Sequence, residues 1–144
     1  DNFTSEKHGN TMQLFVSAWP KGIPLAVEVR AADWFTDTTD YFRSLREYNI
    51  GTVITDTPGR RDALHMCLTT NNAFVRFVAT NTPLDFKRLD DWVERIASWR
   101  QKGIQEVYFY IHEDIRTSQQ FLASYFNNIL NSKLGLSLPI PKLH

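Results

Sequence analysis

Cysteine is nearly absent. The 144 residues hold one, Cys67, so no intrachain disulfide can form, and a reducing, cytoplasmic setting is the expectation. Its neighbours Leu64, Met66 and Leu68 read it as a small core thiol, with a reactive thiol as the other reading. Excess charge of either sign is also missing, with 16 Lys and Arg against 16 Asp and Glu. That balance gives no global pull toward nucleic acid or an anionic membrane and leaves only a local basic patch open. No apolar run approaches the roughly 18 residues that span a bilayer, so no membrane partner is expected. The opening DNFTSEKHGN is polar and carries no signal-peptide pattern, and the chain starts on Asp1 rather than Met, which suggests a piece of a longer protein. Glycine is sparse, at 6 residues. No Gly-rich phosphate loop follows the first expected strand, so a dinucleotide-binding sheet has no support and no cofactor is expected. HExxH, paired CxxC and GxSxG patterns are absent too, as are internal repeats.

What is present is an apolar, aromatic-rich chain, 42% hydrophobic and 13% aromatic, long enough for one domain with a real core. Residues 10–19 place Met12, Phe15, Val16 and Trp19 at helical spacing before Pro20 and Gly22. PLAVEVR (24–30) reads as a strand. TDTTDYFRSLREYNIG reads as a helix with Thr38 or Thr39 as N-cap, an apolar face of Tyr41, Phe42, Leu45 and Tyr48, and Gly51 just past its end. GTVITD (51–56) is a second strand, followed by a long connection that can hold a short helix at 60–65. AFVRFVA (73–79) is a third strand. The helix over 85–102 carries the stripe Leu89, Trp92, Val93, Ile96, Trp99 and stops at Gly103. QEVYFYI (105–111) is a fourth strand, a last helix spans about 117–133, and the tail GLSLPIPKLH is irregular. Strand and helix alternate throughout, which predicts an α/β fold with a parallel sheet and right-handed crossovers.

Charged residues recur near the strand ends: Glu28 and Arg30 on the first, Asp56 on the second, Arg76 in the third, His112 and Glu113 after the fourth. Alternation puts Glu28 and Arg30 on the same side. Ligands of parallel sheets bind at the carboxyl ends of the strands, so these groups are expected to gather on one ligand-binding face. A buried ion-pair network that only fixes the strands is the competing reading.

Five motifs in order, LAVEVRAADWF, VITDTPG, AFVRFVA, LDDWVERIASW and EVYFYIHE, resemble the YecE-like family, also called domain of unknown function 72. The resemblance implies a (β/α) barrel of the triosephosphate isomerase type, of which this chain would supply about four strands, the C-terminal half. It implies no established activity. The family pattern falls on Glu28, Arg30, Trp34, Asp56, Arg76 and Trp92. Where the family commonly has Arg, an apolar residue, His and Gly, this chain has Arg76, Phe77, Val78 and Ala79; where it often has an Asn pair, this chain has His112-Glu113.

Three functions follow as expectations. The first is a barrel protein that binds a small anionic ligand, phosphorylated or nucleotide-like, with Arg30 and Arg76 as forked donors, Glu28 or Asp56 as general base, Trp34 as an aromatic wall and His112 beside them. Arg60 and Arg61 join from the loop or stay solvated. The second is a metal-assisted hydrolase using Glu28, Asp56, His65 and His112, although no metal-ligand motif is present. The third is a non-enzymatic nucleic-acid or protein-binding module, disfavoured by the neutral charge and by Trp19, Trp92 and Trp99 reading as core. A half-barrel leaves apolar strand edges and an unclosed sheet, so a homodimer, or association with a missing N-terminal half, is expected.

Overall fold

A computed structural model describes residues 2–36, 39–112 and 119–142. Helix α1 spans Ser5–Ala18, β1 Ala26–Val27, α2 Tyr41–Glu47, β2 Gly51–Asp56, β3 Asn72–Val78, α3 Leu84–Gln101, β4 Glu106–His112 and α4 Gln119–Leu134. Short 3-10 turns occupy Ala32–Phe35 and Arg61–Ala63. The expected Thr38 cap, Glu113 and the start of the last helix at 117 lie outside the described residues.

The sheet is parallel and runs β1-β2-β3-β4 in sequence order, with Thr55 opposite Arg76 and Arg76 opposite Tyr110. Among the described residues it is open at both ends, as in a partial barrel. Alternation sorts its side chains. Ile54, Ala73, Val75 and Phe77 are fully buried against α3 and α4, meeting Leu89, Trp92, Val93, Ile96, Leu122 and Phe126. Val107, Phe109 and Ile111 of β4 join that layer. A second core, under α1 and α2, holds Met12, Val16, Val29, Trp34, Tyr41, Leu45 and Ile50. Burying a side chain of this kind contributes about 1.5–3 kcal/mol. The other sheet face carries Phe74, Arg76, Tyr108, Tyr110 and His112 and is more open.

Several elements differ from their sequence outlines for identifiable reasons. Helix α1 starts at Ser5 rather than at residue 10, because the Asp33 carboxylate reaches in from the first 3-10 turn and accepts the Ser5 N–H at 2.6 Å and its hydroxyl at 2.7 Å. That serves the end of the helix as an N-cap would. Gln13 donates to Ser44 and ties α1 to α2. Strand β1 is two residues, not seven: the Tyr41 hydroxyl takes the Val27 carbonyl at 3.2 Å, and the chain leaves β2 there.

Helix α2 ends before Asn49, not at Gly51. Asn49 has φ 55, and the Ile50 N–H bonds the Leu45 carbonyl at 2.8 Å in a Schellman closure. Gly51 instead opens β2 where a Cβ would lie 3.4 Å from both the Ala26 Cβ and the Leu25 carbonyl. Helix α3 closes at Gly103 as expected, with φ 91 and Ile104 N–H on the Trp99 carbonyl at 3.1 Å. The tail after α4 has no regular structure but is fixed: Asn131 exchanges two hydrogen bonds with Leu138, and Ser124 reaches the Pro141 carbonyl.

Candidate functional site

Parity along the strands decides which polar ends meet. Glu28 and Arg30, just past β1, share the open face with Arg76 of β3. Glu28 Oε1 accepts from Arg30 Nε at 3.1 Å and from Arg76 Nη1 at 3.3 Å. The Glu28 and Arg76 side chains are 24% and 27% exposed and Arg30 is 61% exposed, so two guanidiniums share one carboxylate at the lip of the sheet. Net charge there is +1, with donors left over on both forks. Arg60 extends the rim, since its Nη2 bonds the Arg30 carbonyl at 3.0 Å while its Nε pairs with Asp62 at 3.2 Å. Arg61 is exposed and does not join.

His112 ends β4 on the same face, exposed, opposite Val78. Below it the alternation of β4 puts Tyr108 and Tyr110 on this face as well. The Phe74 ring stacks on Tyr110 at 4.9 Å and 17°, and on Tyr108 at 6.0 Å. The sequence reading passed over this aromatic trio; the period-two pattern of VYFYIH was the signal that held it. Thr55 sits in register with Arg76, and its buried hydroxyl has no partner.

Asp56 and Trp34 are placed elsewhere, which departs from the expectation of one polar face. Asp56 shares the parity of Ile54 and faces α3, where Arg88 Nη2 pairs with Oδ1 at 2.9 Å and the Trp92 indole N–H donates to Oδ2 at 2.8 Å. Arg88 is a hub. It also donates to the Asp56 carbonyl, the Val78 carbonyl and the fully buried Asp85, each at 2.9–3.0 Å, and lies 4.1 Å over the Phe77 ring. Asp85 in turn accepts from the Thr80 N–H and hydroxyl. Here one guanidinium serves two carboxylates, and each of the three groups is hydrogen-bonded. Trp34 is 2% exposed, its N–H on the Phe3 carbonyl at 2.9 Å and its ring stacked on Phe3, so it offers no wall to a ligand.

Burial is the leading cause of three displaced titrations. Burial pushes the Tyr41 hydroxyl up to about 12, against the opposing hydrogen bond from Thr52. Burial holds His65 below the usual imidazole range; its Nε2 meets the Val53 carbonyl and its ring lies between Phe35 and Phe42. Burial raises the Cys67 thiol although Arg46 contacts its sulfur at 2.7 Å. His65 therefore serves the β2–β3 connection, far in role from a ligand set. Among the described residues no group of three or more His, Cys, Asp or Glu is arranged to hold a metal ion. Nor is any helix there long and apolar enough to cross a membrane.

A family model described as a protein of unknown function, DUF72, matches residues 1–143. No curated protein matches. The crystal structure of a DUF72 family protein from Enterococcus faecalis V583 superposes with a TM-score of 0.69 at 18% identity, covering 94% of this chain and 58% of that one. That of a DUF72 family protein from Thermotoga maritima MSB8 gives 0.69 at 19% identity, covering 94% and 55%. The chain thus spans a little over half the length of each, and at such identities the likeness establishes the fold alone.

Proposed function

The chain belongs to the DUF72 family, and from its strand-end cluster we propose that it binds a small anionic ligand, phosphorylated or nucleotide-like, at the carboxyl ends of its strands. The observation that carries this is the pairing of Arg30 and Arg76 on the single oxygen Oε1 of Glu28. A phosphate or carboxylate that displaces Glu28 from one guanidinium gains a forked, charge-assisted partner on a half-buried surface. Tyr110, in register with Arg76, stacks on Phe74 one step further down the same face and adds a flat apolar surface suited to a base or sugar ring. Glu28 is the carboxylate positioned to accept a proton from a ligand so held; Asp56, bound to Arg88 and Trp92 on the opposite face, takes no part in this reading.

The test is thermal unfolding with inorganic phosphate, nucleoside phosphates and sugar phosphates. A ligand at a hundred times its Kd stabilises by about 2.7 kcal/mol. The expected result is a stabilisation that disappears in Arg76→Ala and shrinks in Arg30→Ala. Stabilisation by oligonucleotides alone, steeply salt-dependent and unaffected by Glu28→Gln, would move the reading to a nucleic-acid module.

A further inference from the structure

We propose, resting on the anion-binding reading above, that Thr55 is the third donor of the strand-end site beside Arg30 and Arg76. Its hydroxyl makes the site specific for a tetrahedral oxyanion, a phosphate monoester, over a carboxylate.

Sheet order makes β2 the strand between β1 and β3. Glu28, just past β1, and Arg76 of β3 pair on the open face at 3.3 Å, so their side chains bridge across β2. Register puts Thr55 of β2 opposite Arg76 on that face. Neighbouring strands lie about 4.8 Å apart, so Thr55 sits beside Arg76 and beneath the bridge. Its hydroxyl is closed off from solvent and has no hydrogen-bond partner. Of the four such atoms among the described residues, it is the one carried by a strand. A buried hydroxyl left unpaired costs stability, and native chains keep few of them. Glu28 Oε1 serves both guanidiniums and takes nothing from Thr55. A ligand that replaces the Glu28 carboxylate on Arg76 lies over this unused donor.

The shape of the anion then decides which ligand gains. A carboxylate has two oxygens in one plane, and a guanidinium fork takes both. A phosphate monoester has three oxygens on a tetrahedron. With two held by the arginines, the third leaves the plane of the fork and meets Thr55 in a charge-assisted O–H···O bond. Tyr110 flanks Arg76 on the β4 side and is 52% exposed, so its ring faces the group esterified to the phosphate.

Isothermal titration calorimetry of the chain with phenyl phosphate and with benzoate, which share a ring and differ in the anion, tests this. Phenyl phosphate should bind tighter than benzoate by about tenfold or more. Thr55→Val replaces the hydroxyl by a methyl of similar size. It should remove that preference by weakening phenyl phosphate and leaving benzoate unchanged, while Thr55→Ser keeps it. The urea midpoint of unliganded Thr55→Val should be unchanged or higher, since the variant loses a buried unpaired hydroxyl. Phenyl phosphate binding that needs Arg76 but ignores Thr55→Val overturns the proposal and leaves the anion reading standing. Equal affinity for the two ligands does the same. A lowered midpoint in Thr55→Val also overturns it, because the hydroxyl would then serve the fold. Binding of neither ligand by the wild-type chain removes the anion reading and this proposal together.

Discussion

Arg88 and Glu28 both belong to ion pairs, yet removing them should have different consequences. Arg88 is 16% exposed and serves Asp56 and the fully buried Asp85 at once. Arg88→Ala strands two carboxylates and two strand-end carbonyls, and the expected cost is about 3–5 kcal/mol in urea unfolding. Glu28 is 24% exposed at the open lip of the sheet, and Glu28→Gln keeps a carbonyl oxygen for the arginines, so it should cost less than Arg88→Ala and act on ligand affinity instead. Tyr41 gives a pH signature. Its pKa is raised from 10.0 to about 12, so its contribution to stability is whole below pH 10 and is lost as pH rises through about 12, because the unfolded chain releases the proton first. Alkaline unfolding of Tyr41→Phe should show a shallower fall over that range. The sequence disclosed Glu28, Arg30 and Arg76 because parity follows from chemistry two residues apart. It could not disclose that Asp56 turns to the helices, since a single polar residue at a strand end has no period to read, and the partner Arg88 lies 32 residues away.

At the level of the element, the long apolar stripes were readable and the boundaries were not. Helix α3 keeps the stripe and stop that its sequence announces, because both signals are local. Helix α1 begins early on account of Asp33, 28 residues distant, and β1 stops early on account of Tyr41, 14 residues distant. Helix α2 ends on Asn49 at φ 55, a conformation asparagine tolerates better than most side chains. Asn49→Ala should lower stability by about 1 kcal/mol and Asn49→Gly should not, a difference that paired thermal melts can read.

For the whole molecule, the two cores divide the chain into unequal parts. The larger joins β2, β3 and β4 to α3 and α4; the smaller lies under α1 and α2 and meets the sheet at its β1 end, through the two residue pairs of β1 and the Tyr41–Thr52 contact on β2. Amide exchange should therefore protect the β3 ladder most and release β1 and α1 at lower opening free energy. Uniform protection across all four strands would contradict that division. Alternating strands and helices foretold the parallel sheet, since that order is written along the chain; where each strand stops is decided between distant segments and leaves no local trace.

The Arg88 guanidinium holds the carbonyls at which β2 and β3 end, Asp56 and Val78. It does so from helix α3, with Thr80 just past β3 bonded to Asp85 beside it but with no hydrogen bond from residues 58–63. That part of the β2–β3 connection is therefore replaceable. A library randomised over 58–63, around Gly59, would vary what the mouth of the sheet presents while the ends of both strands stay pinned, and new specificities could be selected there on an unchanged frame.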